Sequence, residues 1–329
     1  MKLAVLGAGA WGTALSISLA ARHVVTLWSR NAQSARDMAA SRGNERYLPG
    51  YKLPEAVCVT SELAVALEGC KLALIATTTA GFRQTLRQLT ALGNTTDVVW
   101  LCKGFESASL QLPHQIAADE LPAMTQRGVL SGPSFALEVA RGLPAALTLA
   151  SVNTAFAVNV ARELNDQTLR IYSSEDIIGV EVAGAIKNVM AIAAGISDGL
   201  GLGYNARAAL ITRGLAEITR LGLRLGGRFE TFMGLAGVGD LVLTCTGDMS
   251  RNRTVGAKLA AGIALETALR DLGHVAEGVH TARAVQSLAR QLDIDMPITR
   301  AVCRVMDEGV AARDAVQELL QRDSKPEHR

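Results

Sequence analysis

A two-domain α/β protein is what this sequence predicts: a doubly wound sheet in the N-terminal half, then an all-helical second half. Three observations carry the prediction. Between residues 3 and 172, short continuous apolar runs alternate with helix-like stretches. The chain opens on one such run leading straight into a glycine-rich turn. After about residue 175 the strand pattern stops, and only helical periodicity broken by glycines remains. Continuous apolar runs, rather than alternating ones, are what a parallel sheet covered on both faces requires.

The first predicted strand, Leu3–Leu6, runs into Gly7-Ala8-Gly9-Ala10-Trp11-Gly12 and then into a helical stretch over Thr13–Ala21. Strand, G-x-G-x-x-G turn and helix start in that order form a dinucleotide-binding fingerprint, so the N-terminal half reads as Rossmann-type. Gly7 would make the tight turn, Gly9 would let the backbone approach a pyrophosphate, and Gly12 would let the helix pack on the strand. The free N–H groups at the helix start would face the phosphates. Further strands are predicted at Val24–Trp28, Lys71–Ala76, Val98–Cys102, Gly128–Ser131, Ala146–Ala150 and Leu169–Tyr172, with a helix over Phe82–Leu92. Ser173-Ser174-Glu175-Asp176 reads as a helix cap opening the second half. Helices are then expected over Asp176–Ile196, Ala206–Leu225, Arg253–Ala261, Thr281–Leu292 and Thr299–Glu308. These readings give a dinucleotide-binding domain over 1–178 and an all-helical domain over 179–329, where Lys187, Asp240 and Arg251 lead us to expect substrate binding and catalysis.

The 329 residues suffice for two cores, and a net charge of +2 is too small to suggest nucleic-acid or membrane partners. Five cysteines without C-x-x-C spacing exclude a fully paired disulfide framework and a cysteine zinc site, and they fit a reducing cytoplasm. No metal is expected. Residues 3–21 carry no charge and superficially resemble a secretory signal, but three glycines interrupt them and cleavage would remove the first strand. Met1 is therefore expected to be a native cytosolic start. No stretch is expected to span a membrane; the uncharged residues 142–161 are interrupted by Pro144, Asn153, Thr154 and Asn159.

The second strand ends in Trp28 and is followed by Ser29-Arg30-Asn31, with no carboxylate where an NAD-preferring fold places one. Arg30 offers a guanidinium to a 2′-phosphate instead, with Ser29 and Asn31 as neutral donors, unless it is a solvated loop residue. Four segments could carry chemistry. Lys187 is a lone cation in an apolar helical stretch; it must be paired, desolvated or snorkelling to water, and burial would bring its pKa toward the range useful for proton transfer. Glycines leading to Asp240 suggest backbone crowded against a ligand, with Asp240 orienting Lys187 or merely capping a loop. Ser250-Arg251-Asn252-Arg253 at a helix start suits a phosphate, or forms a solvated basic turn. Lys103 follows a strand at the end where substrates bind.

Taken together, GAGAWGTA, LCKGFE, SGPSFALEVA, GAIKNVMAIAAGISDGLGLGYNARAALITRGLAE, GLAGVGDLVLTCTGDMSRNR, VAEGVHTA and MPIT resemble the bacterial NAD(P)-dependent glycerol-3-phosphate dehydrogenases, in order from residue 3 to about residue 320. The resemblance implies reversible hydride transfer between a nicotinamide and C2 of a three-carbon phosphate. In the physiological direction dihydroxyacetone phosphate becomes sn-glycerol 3-phosphate for phospholipid synthesis. It implies that Lys187 is the general acid in reduction and the base in oxidation, supported by Asp240. Lys103, Gly132, Ser134, Lys187, Asp240, Ser250, Arg251 and Asn252 match substrate-binding positions. Trp11, Arg30, Lys103, Ala136, Arg251, Val275 and Glu277 match cofactor positions beside Gly7, Gly9 and Gly12, the last two of the matched set (Val275, Glu277) resting on resemblance alone. NADP(H) is the expected cofactor, with NAD as second candidate, and a homodimer is expected. Two departures stand out: Ala10 where many relatives carry serine, and Thr77-Thr78-Thr79 where they often show proline-serine. On the residues alone, a two-domain dehydrogenase of 3-hydroxy or sugar acids and a non-catalytic dinucleotide sensor stay open.

Overall fold

The computed structural model describes residues 1–273 and 276–322. Ten strands precede the helical half: β1 (Lys2–Leu6), β2 (Val24–Trp28), β3 (Gly43–Asn44), β4 (Leu48–Lys52), β5 (Val57–Thr60), β6 (Leu72–Ile75), β7 (Asp97–Trp100), β8 (Arg127–Ser131), β9 (Ala145–Ala150) and β10 (Leu169–Ser174). Eight of them form one sheet in the order β10-β9-β8-β7-β6-β1-β2-β5, and β3 and β4 make a separate hairpin. Its central strands β1, β6 and β7 are almost wholly buried, as their unbroken apolar runs require.

The chain leaves β1 toward β2 and β5, then returns to β6 on the other side of β1. This reversal is a topological switch point, where an open α/β sheet leaves a crevice at the carboxyl ends of its strands. Leu6 pairs in register with Trp28 on one side and Ile75 on the other, so Gly7 and Ala76 emerge together at the crevice.

The expectation of a parallel sheet needs one correction: β8 and β9 are antiparallel. Residues 132–144, which hold only the short helix Ala136–Ala140, do not cross over but re-enter the sheet at the end where they left it. They therefore stay beside the crevice. Sequence reading also passed over β5 and the β3–β4 hairpin, whose second strand, Leu48-Pro-Gly-Tyr-Lys52, contains turn residues.

From Ile177 onward every regular element among the described residues is helical. Asp176 is the cap that opens this half, its Oδ1 accepting from the Gly179 N–H at 2.8 Å, while Ser173 and Ser174 still belong to β10. The helix Ile177–Gly199 is long and apolar enough to cross a membrane by length and composition, a feature that the sequence reading did not single out. It is instead the core of the helical half, enclosed on nearly all sides, and hydrophobic all round as a buried helix must be. The helix Arg251–Ala260 packs on it backbone to backbone: a methyl group at Gly256 would lie 2.0 Å from the Ile192 carbonyl oxygen. That contact brings the segment 250–252 alongside residues 187 and 188.

Candidate active site

A cleft of about 1610 Å³ runs from the glycine turn to the inner helix Ile177–Gly199. At its outer end Gly7 has φ +124°, and a side chain there would strike the Ala76 carbonyl group at 2.7 Å. A methyl at Gly12 would lie 2.0 Å from the Gly7 oxygen, so Gly12 serves the packing of helix Ala10–Leu19 and does not line the cleft. Gly9 has nothing within 4 Å of where a methyl would sit. It also caps the helix without any side-chain hydrogen bond. Open space, uncapped N–H groups and a helix dipole together suit a pyrophosphate. Trp11 lines the same wall. A residue that sequence reading missed holds the turn: Asn44 of β3 donates to the Ala8 carbonyl at 2.9 Å and to the Thr13 hydroxyl at 2.7 Å.

Arg30 stands exposed in the cleft wall just beyond β2. Its neighbours are less free than the sequence suggested. The Asn31 carboxamide oxygen caps helix Ala32–Ser41 by accepting from Ser34 N–H at 2.8 Å, and the Ser29 hydroxyl donates to the Asn31 carbonyl at 3.4 Å. The carboxylates in this wall lie off the end of β2: Asp37 accepts from Gln33 at 2.7 Å, and Glu45 from the Gly50 N–H at 3.2 Å.

At the inner end three chain-distant groups meet. The Asp240 carboxylate, 1% exposed, accepts from Lys187 through Oδ1 and from Lys103 through Oδ2 at 2.7 Å. Lys103 also donates to the Gly132 carbonyl at 3.3 Å, as does the Ser134 hydroxyl at 3.0 Å. Lys187 is buried and paired rather than snorkelling. Burial pulls its pKa down to about 7, Asp240 opposes the fall, and the Lys103 charge adds to it. The Thr244 hydroxyl donates to the Asp240 carbonyl at 2.6 Å, anchoring the first turn of helix Asp240–Thr246. The preceding glycines are crowded by the protein itself and not by the cleft: a methyl at Gly237 would lie 2.0 Å from the Phe232 oxygen, and none of Gly234, Gly237 and Gly239 lines the cleft.

Beside Lys187, the Asn188 side-chain oxygen accepts from Asn252 Nδ2 at 3.0 Å, and Asn252 Oδ1 accepts from the Gly278 N–H at 3.1 Å. Asn188 lines the cleft and was not among the residues singled out from sequence, although it adjoins one that was. Arg251 faces the cleft, but Arg253 does not pair with it: its guanidinium is held by Asp198 and Asp248, at 2.7 and 2.8 Å. Ser250 sits behind the wall as the cap of helix Arg251–Ala260, accepting from the Arg253 N–H at 3.3 Å. Glu277 lines the cleft and accepts from Thr79 N–H at 3.4 Å; burial raises its carboxyl. Ala136 starts its short helix against the cluster of Ala14, Leu48 and Val139 instead of lining the cleft. Val275 lies outside the described residues. Among the described residues no three or more His, Cys, Asp or Glu side chains gather in a way that would hold a metal ion.

Glycine turn, switch-point crevice and a lysine–carboxylate–lysine centre supplied partly by a helical domain define a two-domain nicotinamide-dinucleotide dehydrogenase. Family profiles described as NAD-dependent glycerol-3-phosphate dehydrogenase N-terminus and C-terminus match residues 2–157 and 176–317. The chain belongs to the NAD-dependent glycerol-3-phosphate dehydrogenase family. It is 58% identical over 331 residues to glycerol-3-phosphate dehydrogenase [NAD(P)+] of Nitrosospira multiformis, covering 99% of both chains. It is 56% identical over 327 residues to the enzyme of the same name from Dechloromonas aromatica, again covering 99% of both. The crystal structure of glycerol-3-phosphate dehydrogenase from Coxiella burnetii superposes with a TM-score of 0.94 at 44% identity, covering 98% of this chain and 99% of that one.

Proposed function

We propose that the protein reversibly reduces dihydroxyacetone phosphate to sn-glycerol 3-phosphate with NAD(P)H, the phospholipid backbone being the product. One observation carries this reading: the buried Asp240 carboxylate holds two ammonium groups, Lys103 and Lys187, at the inner end of a cleft whose outer end is the glycine turn. Residues 1–178 would serve as the dinucleotide-binding domain and 179–329 as the substrate and catalytic domain.

A nicotinamide dinucleotide fits the cleft because the space at Gly9 and the uncapped helix start are complementary to a pyrophosphate. Bound there, the reduced nicotinamide supplies the hydride. Everything else falls to the chain's own residues. Lys187, protonated, faces the substrate oxygen on which charge develops, stabilises that charge and gives up its proton to it. In oxidation the neutral amine takes the proton back. Asp240 keeps the lysine charged in spite of burial and fixes where its proton points. Arg251, Asn252 and Lys103 gather donors and positive charge for the phosphate dianion, and the Gly132–Ser134 segment completes that wall.

Arg30, in the cleft wall beyond β2, would meet the 2′-phosphate of a bound dinucleotide, and its guanidinium favours NADPH over NADH. The two alternatives lose ground for stated reasons. An unphosphorylated hydroxy acid would leave Arg251 without an anion to bind, and a sensor has no need of a buried lysine on a carboxylate. The enzyme would work as a homodimer in the cytoplasm. The deciding assay is loss of reduced-nicotinamide absorbance with dihydroxyacetone phosphate, run with NADPH and NADH in parallel. Turnover faster with NADPH at low cofactor supports both assignments, and equal rates discard the role of Arg30. Tight cofactor binding without turnover overturns the reading.

A further inference from the structure

Lys103 and Lys187 reach the same carboxylate from opposite halves of the protein, and something must set their relative position. Lys103 lies three residues beyond Trp100, the last residue of β7. Lys187 lies six residues beyond Glu181 on the helix Ile177–Gly199, about 9 Å along its axis at 1.5 Å per residue. Glu181 is 4% exposed, yet none of its partners belongs to its own helix or to the helical half. Its Oε1 accepts from Trp100 Nε1 at 2.8 Å and from His114 N–H at 2.9 Å, and its Oε2 meets His114 Nδ1 at 2.5 Å.

One turn further along the same face is Gly184, where an added methyl would lie 3.6 Å from the Lys103 stem and 2.8 Å from the Ser131 hydroxyl. These are packing contacts, without a directional bond between the two halves. The Glu181 bonds are directional and buried, and so they resist a slide of the helix along its axis. A misplacement of about 1 Å at a reacting group can cost on the order of 10²-fold in rate.

We infer that Glu181 is a positioning residue: through Trp100 it pins the inner helix to the end of β7, and through His114 to the start of helix Pro113–Glu120, so that Lys103 and Lys187 converge on Asp240. The inference rests on Lys187 being the acid–base group. Glu181→Leu removes the pin, Trp100→Phe removes one donor while keeping an aromatic ring, and Glu181→Gln keeps an acceptor for Trp100. The readouts are kcat and its pH profile, NADPH affinity by fluorescence titration, and melting temperature.

Glu181→Leu is expected to lower kcat roughly 10- to 100-fold, within the range of such misplacement, and to displace the pH profile while NADPH affinity stays unchanged. Glu181→Gln recovers most of the loss. Trp100→Phe alone lowers kcat in the same direction, and it costs little more when added to Glu181→Leu, because the Trp100 bond is already lost there. If Glu181→Leu does not fold, the other two variants carry the test by the same criteria. A lower melting temperature with unaltered kcat and pH profile overturns the inference, as does a loss of kcat matched by an equal loss of NADPH affinity. A wild-type protein that fails to turn over dihydroxyacetone phosphate overturns the underlying reading instead, so the two failures are distinct.

Discussion

The outer and inner ends of the cleft are made of different material. The outer end is backbone: Gly7, Gly9 and the free N–H groups of helix Ala10–Leu19, contiguous in the chain and shaped by what side chains would obstruct. The inner end is side chain: Lys103, Lys187, Asp240 and Asn252, brought from three helices and the loop after β7 and held by buried polar bonds. A backbone site is broken by adding atoms, whereas a side-chain site is broken by removing them. Substitutions at the two ends should therefore fail in different ways.

The largest effect belongs at the inner end. Lys187→Ala deletes the proton donor, and kcat is expected to fall by about 10²–10⁴-fold, the usual worth of general acid–base help. NADPH affinity by fluorescence titration should stay near wild type, because the pyrophosphate wall is untouched. Loss of both together would mean that the two ends are not separable.

Arg30 sharpens the comparison, being the one side chain at the outer end assigned a selective role. A charge-assisted hydrogen bond is worth about 1.5–3 kcal/mol, so Arg30→Ala should raise KM for NADPH by roughly 10–100-fold. KM for NADH should not move. A parallel loss with both cofactors would show that Arg30 only attracts anions.

The glycines test the backbone end directly. Gly12→Ala forces a methyl to 2.0 Å from the Gly7 oxygen. Overpacking of this kind costs about 1–3 kcal/mol, and the melting temperature should fall. Gly9→Ala meets nothing within 4 Å, so the melting temperature should hold. Its methyl takes the space meant for the pyrophosphate, and cofactor affinity should drop roughly tenfold, about 1.4 kcal/mol. If Gly9→Ala binds NADPH normally, the pyrophosphate lies elsewhere.

The same contrast explains how much of the molecule was legible in the sequence. Gly7, Gly9 and Gly12 signal their role by spacing alone, because the backbone path they permit is local. Lys187 and Asp240 announced themselves as charges in apolar and glycine-rich surroundings, and the structure joins them as expected. Asn44 gave no such signal: its task is to bond Ala8 and Thr13, more than thirty residues away, and no local pattern encodes that partnership. Glu217 is a similar case. It accepts from the N–H groups of Ile298 and Thr299 at 2.6 and 3.2 Å, capping a helix some eighty residues later. Arg253 was read with Arg251 from adjacency, but two positions along a helix turn a side chain to another face, and Asp198 and Asp248 hold it there. The antiparallel β8–β9 pair escaped because its apolar runs resemble those of its parallel neighbours.

The smallest effect is a matter of pH, and it isolates the inner end without deleting the lysine. Burial lowers the Lys187 pKa to about 7. Reduction uses the ammonium, so single-turnover reduction should be fastest below that pH and fall as pH rises through it. Oxidation uses the free amine and should rise through the same range. Between pH 6 and 7 the reductive rate should change only about twofold, the loss of protonated fraction on approaching such a pKa. The substrate phosphate, with a second ionisation near pH 6, also titrates nearby. Asp240→Asn separates the two. It removes the charge that opposes burial while the Lys103 charge remains, so a fall due to Lys187 must move to lower pH. The phosphate loses its second proton as pH rises and forms the dianion the site binds, so it would make the rate rise. A fall that stays where it is in Asp240→Asn would take the proton away from Lys187.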